Sequence, residues 1–220
     1  MTEKRKLSNL HIGVYLIIFF AIWSVRELII QPVFLDYFDV LTQQFLGGLI
    51  KLLIWTLPAI LLIRYFQDDM WIGLKEMFVT RSRWFKDAPI LLLVFVPFLQ
   101  AWFAFGEIVI NPGLVPARLI GAVLLVGITE EIVFRGFLLN AFLKRMKMPY
   151  AIALDAALFT FIHYPIWIYQ GRSLSEILAA SIIVPMLSVF FAYSFIKTRN
   201  ILVPIALHMM WNLFTILFFG

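Results

Sequence analysis

About seven apolar stretches, each near the roughly 20 residues that carry a helix across a bilayer, follow one another along this 220-residue chain. They run from about Ile12 to Pro32, Phe45 to Ile63, Pro89 to Phe105, Leu119 to Leu143, Tyr150 to Tyr169, Leu174 to Ile196 and Ile201 to Phe219. Such a pattern leaves room for little else. The chain is 63% hydrophobic and 14% charged, whereas a soluble domain is about 45–50% apolar and about 25% charged. One globule of this length cannot hide that much apolar surface, so lipid must solvate part of it. The expectation is an all-α, polytopic transmembrane bundle of about seven spans, an eighth being allowed by a broken or re-entrant segment. It forms a single membrane domain over residues 1–220, with N-terminal spans in 1–117 and the chemistry in 118–220.

Charge placement sets the expected orientation. Lys4, Arg5 and Lys6 precede the first span; Arg64, Lys75, Arg81, Arg83 and Lys86 follow the second. Lys144, Arg145 and Lys147 follow the fourth, and Lys197 and Arg199 the sixth. The alternate loops hold little more than Arg118 and Arg172. Every second loop is basic, which puts the N-terminus in the cytoplasm. The basic start resembles a signal peptide, but the run behind it is too long and is interrupted by Arg26-Glu27, so it reads as a retained first span. Between Gln67 and Asp87, aromatic residues alternate with Lys and Arg, which suits an interfacial segment or a plain basic loop. A net charge of +5 placed in short loops speaks for topology and against nucleic-acid binding. The absence of cysteine excludes disulfides, thiolate metal sites and a thiol nucleophile.

The polar residues inside the spans carry the functional information. An ionisable side chain at mid-bilayer costs about 2.5–3.5 kcal/mol on insertion scales, and it faces a cavity or a partner. The fourth span holds Glu130, Glu131 and Arg135, the fifth Asp155 and His163, and the seventh His208 and Asn212. At about 1.5 Å per helical residue, Glu130 lies roughly 21 Å from Lys144, His163 roughly 21–24 Å from Lys147 and Asn212 roughly 20 Å from Arg199. Three helices thus deliver polar groups to one level. His208 and Asn212, four apart, share a face, as do Phe159 and His163. Glu131 and Arg135 have the spacing and order of a helical ion pair, whose plain reading is structural. Each histidine taken alone is equally an interhelical hydrogen-bond donor. Asp155 is read either as orienting His163 or as packing; Arg26-Glu27 and Lys51 are read as paired or cavity-lining, without chemistry.

Several chemistries lack their residues. There is no Gly-x-Ser-Gly, no paired membrane aspartates with Gly-x-Gly-Asp and no His-Glu-x-x-His. A carboxylate, two imidazoles and an amide remain. That set can hydrolyse a peptide through activated water, with Glu130 as general base, His163 holding the water, and His208 with Asn212 as donors to the oxyanion. Arg135 would hold Glu131 and fix the rotation of its helix.

Three motifs stand in order on three spans: Glu130-Glu131-Ile-Val-Phe-Arg135, Phe159-Thr-Phe-Ile-His163 and His208-Met-Met-Trp-Asn212. They resemble the Glu-Glu-x-x-x-Arg, Phe-x-x-x-His and His-x-x-x-Asn motifs of the CPBP family, the CAAX proteases and bacteriocin-processing enzymes also called Abi proteins. The resemblance covers about Arg118 to the C-terminus. It implies an intramembrane glutamic endopeptidase related to the Ras-converting CAAX enzyme. Glu130 and His163 would activate water, His208 and Asn212 would form the oxyanion hole, and Glu131, Arg135 and Phe159 would support them. No cofactor is expected; a zinc ion on Glu and two His is the second reading, since the amide of Asn212 suits an oxyanion better than zinc. The expected partners are a peptide precursor or membrane-protein substrate and the lipid bilayer, with oligomeric state open, and the expected location is a bacterial cytoplasmic membrane. Two rivals stand beside the peptidase. One is a non-catalytic membrane partner, such as a bacteriocin-immunity factor or sensor-kinase scaffold; the other is a transporter, which the lack of internal repeats disfavours.

Overall fold

The computed structural model describes residues 6–79, 95–111 and 115–219. Every element among them is helical, as lipid demands of a chain that must satisfy its own backbone. The helical runs are α1 (Asn9–Tyr37), α2 (Val40–Tyr65), α3 (Leu74–Val79), α4 (Val96–Phe105), α5 (119–143), α6 (Met148–Tyr169), α7 (Leu174–Thr198) and α8 (Leu202–Phe219). Five of them, α1, α2, α6, α7 and α8, are long and apolar enough to cross a membrane. The other two expected spans are α5, an unbroken helix that carries three charged residues, and the stretch ending in α4, whose first part lies outside the described residues. The expected count of seven rests on those two.

Burial inverts the usual pattern. The candidate spans bury only 22–44% of their apolar windows and leave residues such as Ile17, Leu61, Ile182 and Met186 exposed, the surface a lipid-facing helix needs. Glu130 to Phe142 of α5 are all buried, so α5 is the central post, packed by α2, α6, α7 and α8. Small residues allow close approach there. A Cβ added at Gly127 would lie 2.5 Å from Met209 Cγ of α8, and one at Gly48 of α2 would collide with Leu125 of α5.

Among the described residues four stretches are wound wider than an α-helix, with i→i+5 turns. They are Arg26–Ile30 in α1, Leu52–Thr56 in α2, and Leu119–Leu125 and Ile132–Leu139 in α5. Three of them contain or adjoin an intramembrane charge, namely Arg26 and Glu27, Lys51, and the Glu131–Arg135 pair, and Leu119–Leu125 lies about one turn before Glu130. Such π-type turns re-aim side chains and are frequent at functional sites.

The loops gather at two ends of the bundle. At one end Leu7 N–H donates to Asp69 (2.8 Å) and Arg145 donates to the carbonyls of Leu7 (2.7 Å) and Asp69 (3.2 Å). Ile201 N–H donates to the Met77 carbonyl (2.8 Å) at the same end, and Arg199 pairs with Glu76 at 2.6 Å. Residues 67–79 dock against this end, with Met70, Ile72 and Met77 buried; residues 80–87 of the expected interfacial segment or basic loop lie outside the described residues. At the other end the Tyr169 hydroxyl and the Gln31 amide (2.6 Å) both donate to Asp36.

Candidate active site

A cavity of about 660 Å³ runs into the bundle between α1, α2, α5, α6 and α8. Glu130 of α5, His163 of α6 and Asn212 of α8 all line it. The equal depths read from the sequence therefore correspond to one shared space.

Each of these side chains is fixed by its own helix or a neighbour. His163 sits where α6 bends, one residue past the break at Ile162. Its Nδ1–H donates to the Phe159 carbonyl at 2.7 Å, which commits that nitrogen as donor and leaves the Nε2 lone pair open. The Asn212 amide donates to the Ala122 carbonyl at 2.8 Å, so one of its two N–H groups remains. Glu130 is buried, 4% exposed; its Oε1 accepts from Lys51 Nζ at 3.1 Å, and its Oε2 has no hydrogen-bond partner among the described residues.

Lys51 is the residue that the sequence reading left without chemistry. Its ammonium lies over the rings of Trp23 (4.7 Å) and Trp55 (4.8 Å) while it pairs with Glu130, so aromatic faces hold it in place. The signal was present: counting 1.5 Å per residue from Arg64 puts Lys51 roughly 20 Å deep, level with the other polar groups. Arg26 and Glu27, paired at 2.5 Å, line the same cavity nearer its mouth.

His208 lies differently from expectation. It is buried but does not line the cavity. Its Nδ1 is 2.8 Å from Glu131 Oε1, and its ring stacks on Phe191 at 4.9 Å. It remains within electrostatic reach of Glu130 and His163. The Glu131–Arg135 pair, expected from spacing, exists at 3.1 Å, but Glu131 also orients a histidine. Arg135, fully buried, ties α5 to α7 through the Ser188 hydroxyl (2.7 Å) and carbonyl (3.0 Å), and approaches Asp155 of α6 at 3.6 Å. Asp155 therefore faces Arg135 and not His163, whose ring nitrogen is taken by a backbone carbonyl. Phe159 packs among these groups, with Arg135 over its face at 4.5 Å and the rings of His163 and His208 at 5.1 and 6.0 Å.

The zinc reading needs Glu130, His163 and His208 on one ion. Among the described residues no three His, Asp or Glu side chains form a group that could hold a metal. What the cavity offers is a carboxylate oxygen, an imidazole lone pair and an amide N–H at the floor of a space large enough for an extended peptide segment.

Residues 112–214 match a family model described as type II CAAX prenyl endopeptidase Rce1-like. The match spans α5 to α8 and contains all three motifs. No curated protein and no solved structure matches the chain.

Proposed function

The chain belongs, through residues 112–214, to the Rce1-like CAAX protease family, and from that premise we propose that it is an intramembrane peptidase using water activated by Glu130 and His163. The family implies a protease, and the apolar helices make the chain an integral membrane protein. The observation that carries the mechanism is the convergence of Glu130, His163 and Asn212, from three helices, on one cavity.

The water sits between the Glu130 carboxylate and His163 Nε2, the ring nitrogen left free by the bond to the Phe159 carbonyl. Glu130 takes its proton as the oxygen attacks the peptide carbonyl, and returns it to the leaving amine. Lys51 holds Oε1 and so fixes the orientation of the carboxylate. The second N–H of Asn212 donates to the oxyanion. His208 sits one turn deeper, its ring held by Glu131, and lies behind the oxyanion side of the site. No metal is needed in this scheme. The substrate is a signalling-peptide or bacteriocin precursor or a membrane protein, and the setting is a bacterial cytoplasmic membrane with the basic loops inside.

Comparison of small peptides and membrane-protein fragments in cells carrying wild type or Glu130→Gln tests the reading. Defined products should vanish in the variant while membrane insertion is unchanged. Identical product sets, or an immunity phenotype that survives Glu130→Gln, would leave the non-catalytic partner as the function.

A further inference from the structure

We infer that the cavity takes its substrate from the extracytoplasmic side, so that the scissile segment belongs to a peptide or membrane protein exposed on that surface and not to a cytosolic chain. The inference rests on the peptidase reading and deepens it.

Among the described residues the cavity opens through a polar rim. Its rim is formed by Asp36, Arg118, Gln170 and Arg172, all exposed, at the ends of α1 and α6 and the starts of α5 and α7. Glu130 lies 12 residues along α5 from Arg118, roughly 18 Å in, and 14 residues, roughly 21 Å, from Lys144 at the opposite end. The site is thus near mid-depth and reached from the rim side.

Toward the opposite end the described residues close the bundle. Below Glu130 come Trp55, Phe134, Phe137 and Leu138, each 0% exposed. Phe19 fills the gap, with ring centroids 4.8 Å from Trp55 and 6.1 Å from Phe134. None of the basic residues Arg64, Lys144, Arg145 or Lys197 lines the cavity.

Charge assigns the two ends to the two sides of the membrane. Among the described residues the closed end carries Lys6, Arg64, Lys75, Lys144, Arg145, Lys147, Lys197 and Arg199, whereas the open end carries Arg118 and Arg172 beside Asp36 and Asp39. Hydrogen bonds join the basic loops into one surface, so their bias acts together. Lys and Arg excess marks the cytoplasmic side. The closed end faces the cytoplasm, and the mouth faces out.

The absence of cysteine makes the test direct. Thr215→Cys places a thiol on the cavity wall, Arg172→Cys one on the rim, and Lys147→Cys one on the basic end. Each full-length variant is exposed to the membrane-impermeant anionic reagent methanethiosulfonate ethylsulfonate in right-side-out and inside-out vesicles. Thr215→Cys and Arg172→Cys should react at least ~10-fold faster in right-side-out vesicles, and Lys147→Cys in inside-out ones. Reaction of Thr215→Cys chiefly in inside-out vesicles, or the reverse labelling of Lys147→Cys, would overturn the inference. So would an unreactive Thr215→Cys beside a reactive Arg172→Cys, because the cavity would then not open at the rim. Labelling needs no turnover: outward labelling without any product lost in Glu130→Gln would refute the peptidase reading instead.

Discussion

Lys51 is the most informative single residue, because it turns an isolated buried carboxylate into half of an ion pair. In the proposed mechanism a displacement of about 1 Å at the reacting carboxylate would cost about 100-fold in rate, and Lys51, held between two tryptophan rings, restrains Glu130. Lys51→Met keeps the side chain's length and loses its charge. It should lower kcat about 100-fold with KM little changed, measured on purified protein in nanodiscs; unchanged kcat would reduce Lys51 to a packing role. Glu131 bears a second, separable duty. Glu131→Gln removes the charge that orients His208, and kcat should fall about 10–100-fold, as loss of the partner that orients a metal-bound histidine does. Ser188→Ala removes one partner of the buried Arg135 guanidinium. It should cost about 1.5–3 kcal/mol, the worth of a hydrogen bond to a charged group, seen as a lower melting temperature with the rate of the folded fraction preserved.

Among the elements, α5 does most of the positioning. It is the helix with charges at its centre and protein on all sides, and its two wide-turn stretches bracket Glu130 and Glu131. One acid can then face the cavity while its neighbour faces His208 and Arg135. Contact with α8 depends on Gly127. In Gly127→Val the new side chain would meet Met209 and the Ile205 carbonyl, and overpacking of this kind costs about 1–3 kcal/mol. Pushing α8 away also pulls His208 from Glu131 and Asn212 from Ala122. Activity and melting temperature should therefore fall together. Gly13→Val, where an added Cβ meets nothing within 4 Å, should be close to neutral, within about 0.5 kcal/mol.

For the whole molecule, the class was legible because apolar run length and charge alternation are properties of sequence alone. The three motifs were legible because polar residues are conspicuous in lipid-facing composition, and counting residues from the basic loops put them at one depth. Rotation about each helix was not legible. A regular 100° step cannot foresee the wide turns at Arg26, Leu52, Leu119 and Ile132, and those turns decide which charges face inward. Lys51 is legible as a paired or cavity-lining charge, and it is both; that its partner is Glu130 is not legible, because Lys51 stands outside the motifs in a helix that otherwise matches a plain span. His208 shares a face with Asn212, as the spacing implies, but its contact with Glu131 is not legible, because it depends on the rotation of the helix that carries Glu131.

Kinetics of Glu130→Gln, His163→Ala and the double variant, on purified protein with a peptide found in the cellular comparison, bear on the shared water most directly. Two groups acting on one water are non-additive. Each single change should lower kcat by about 100-fold or more, and the double should be no slower than the worse single. Undiminished turnover by Glu130→Gln, or losses that multiply in the double variant, would contradict one water held between these two side chains.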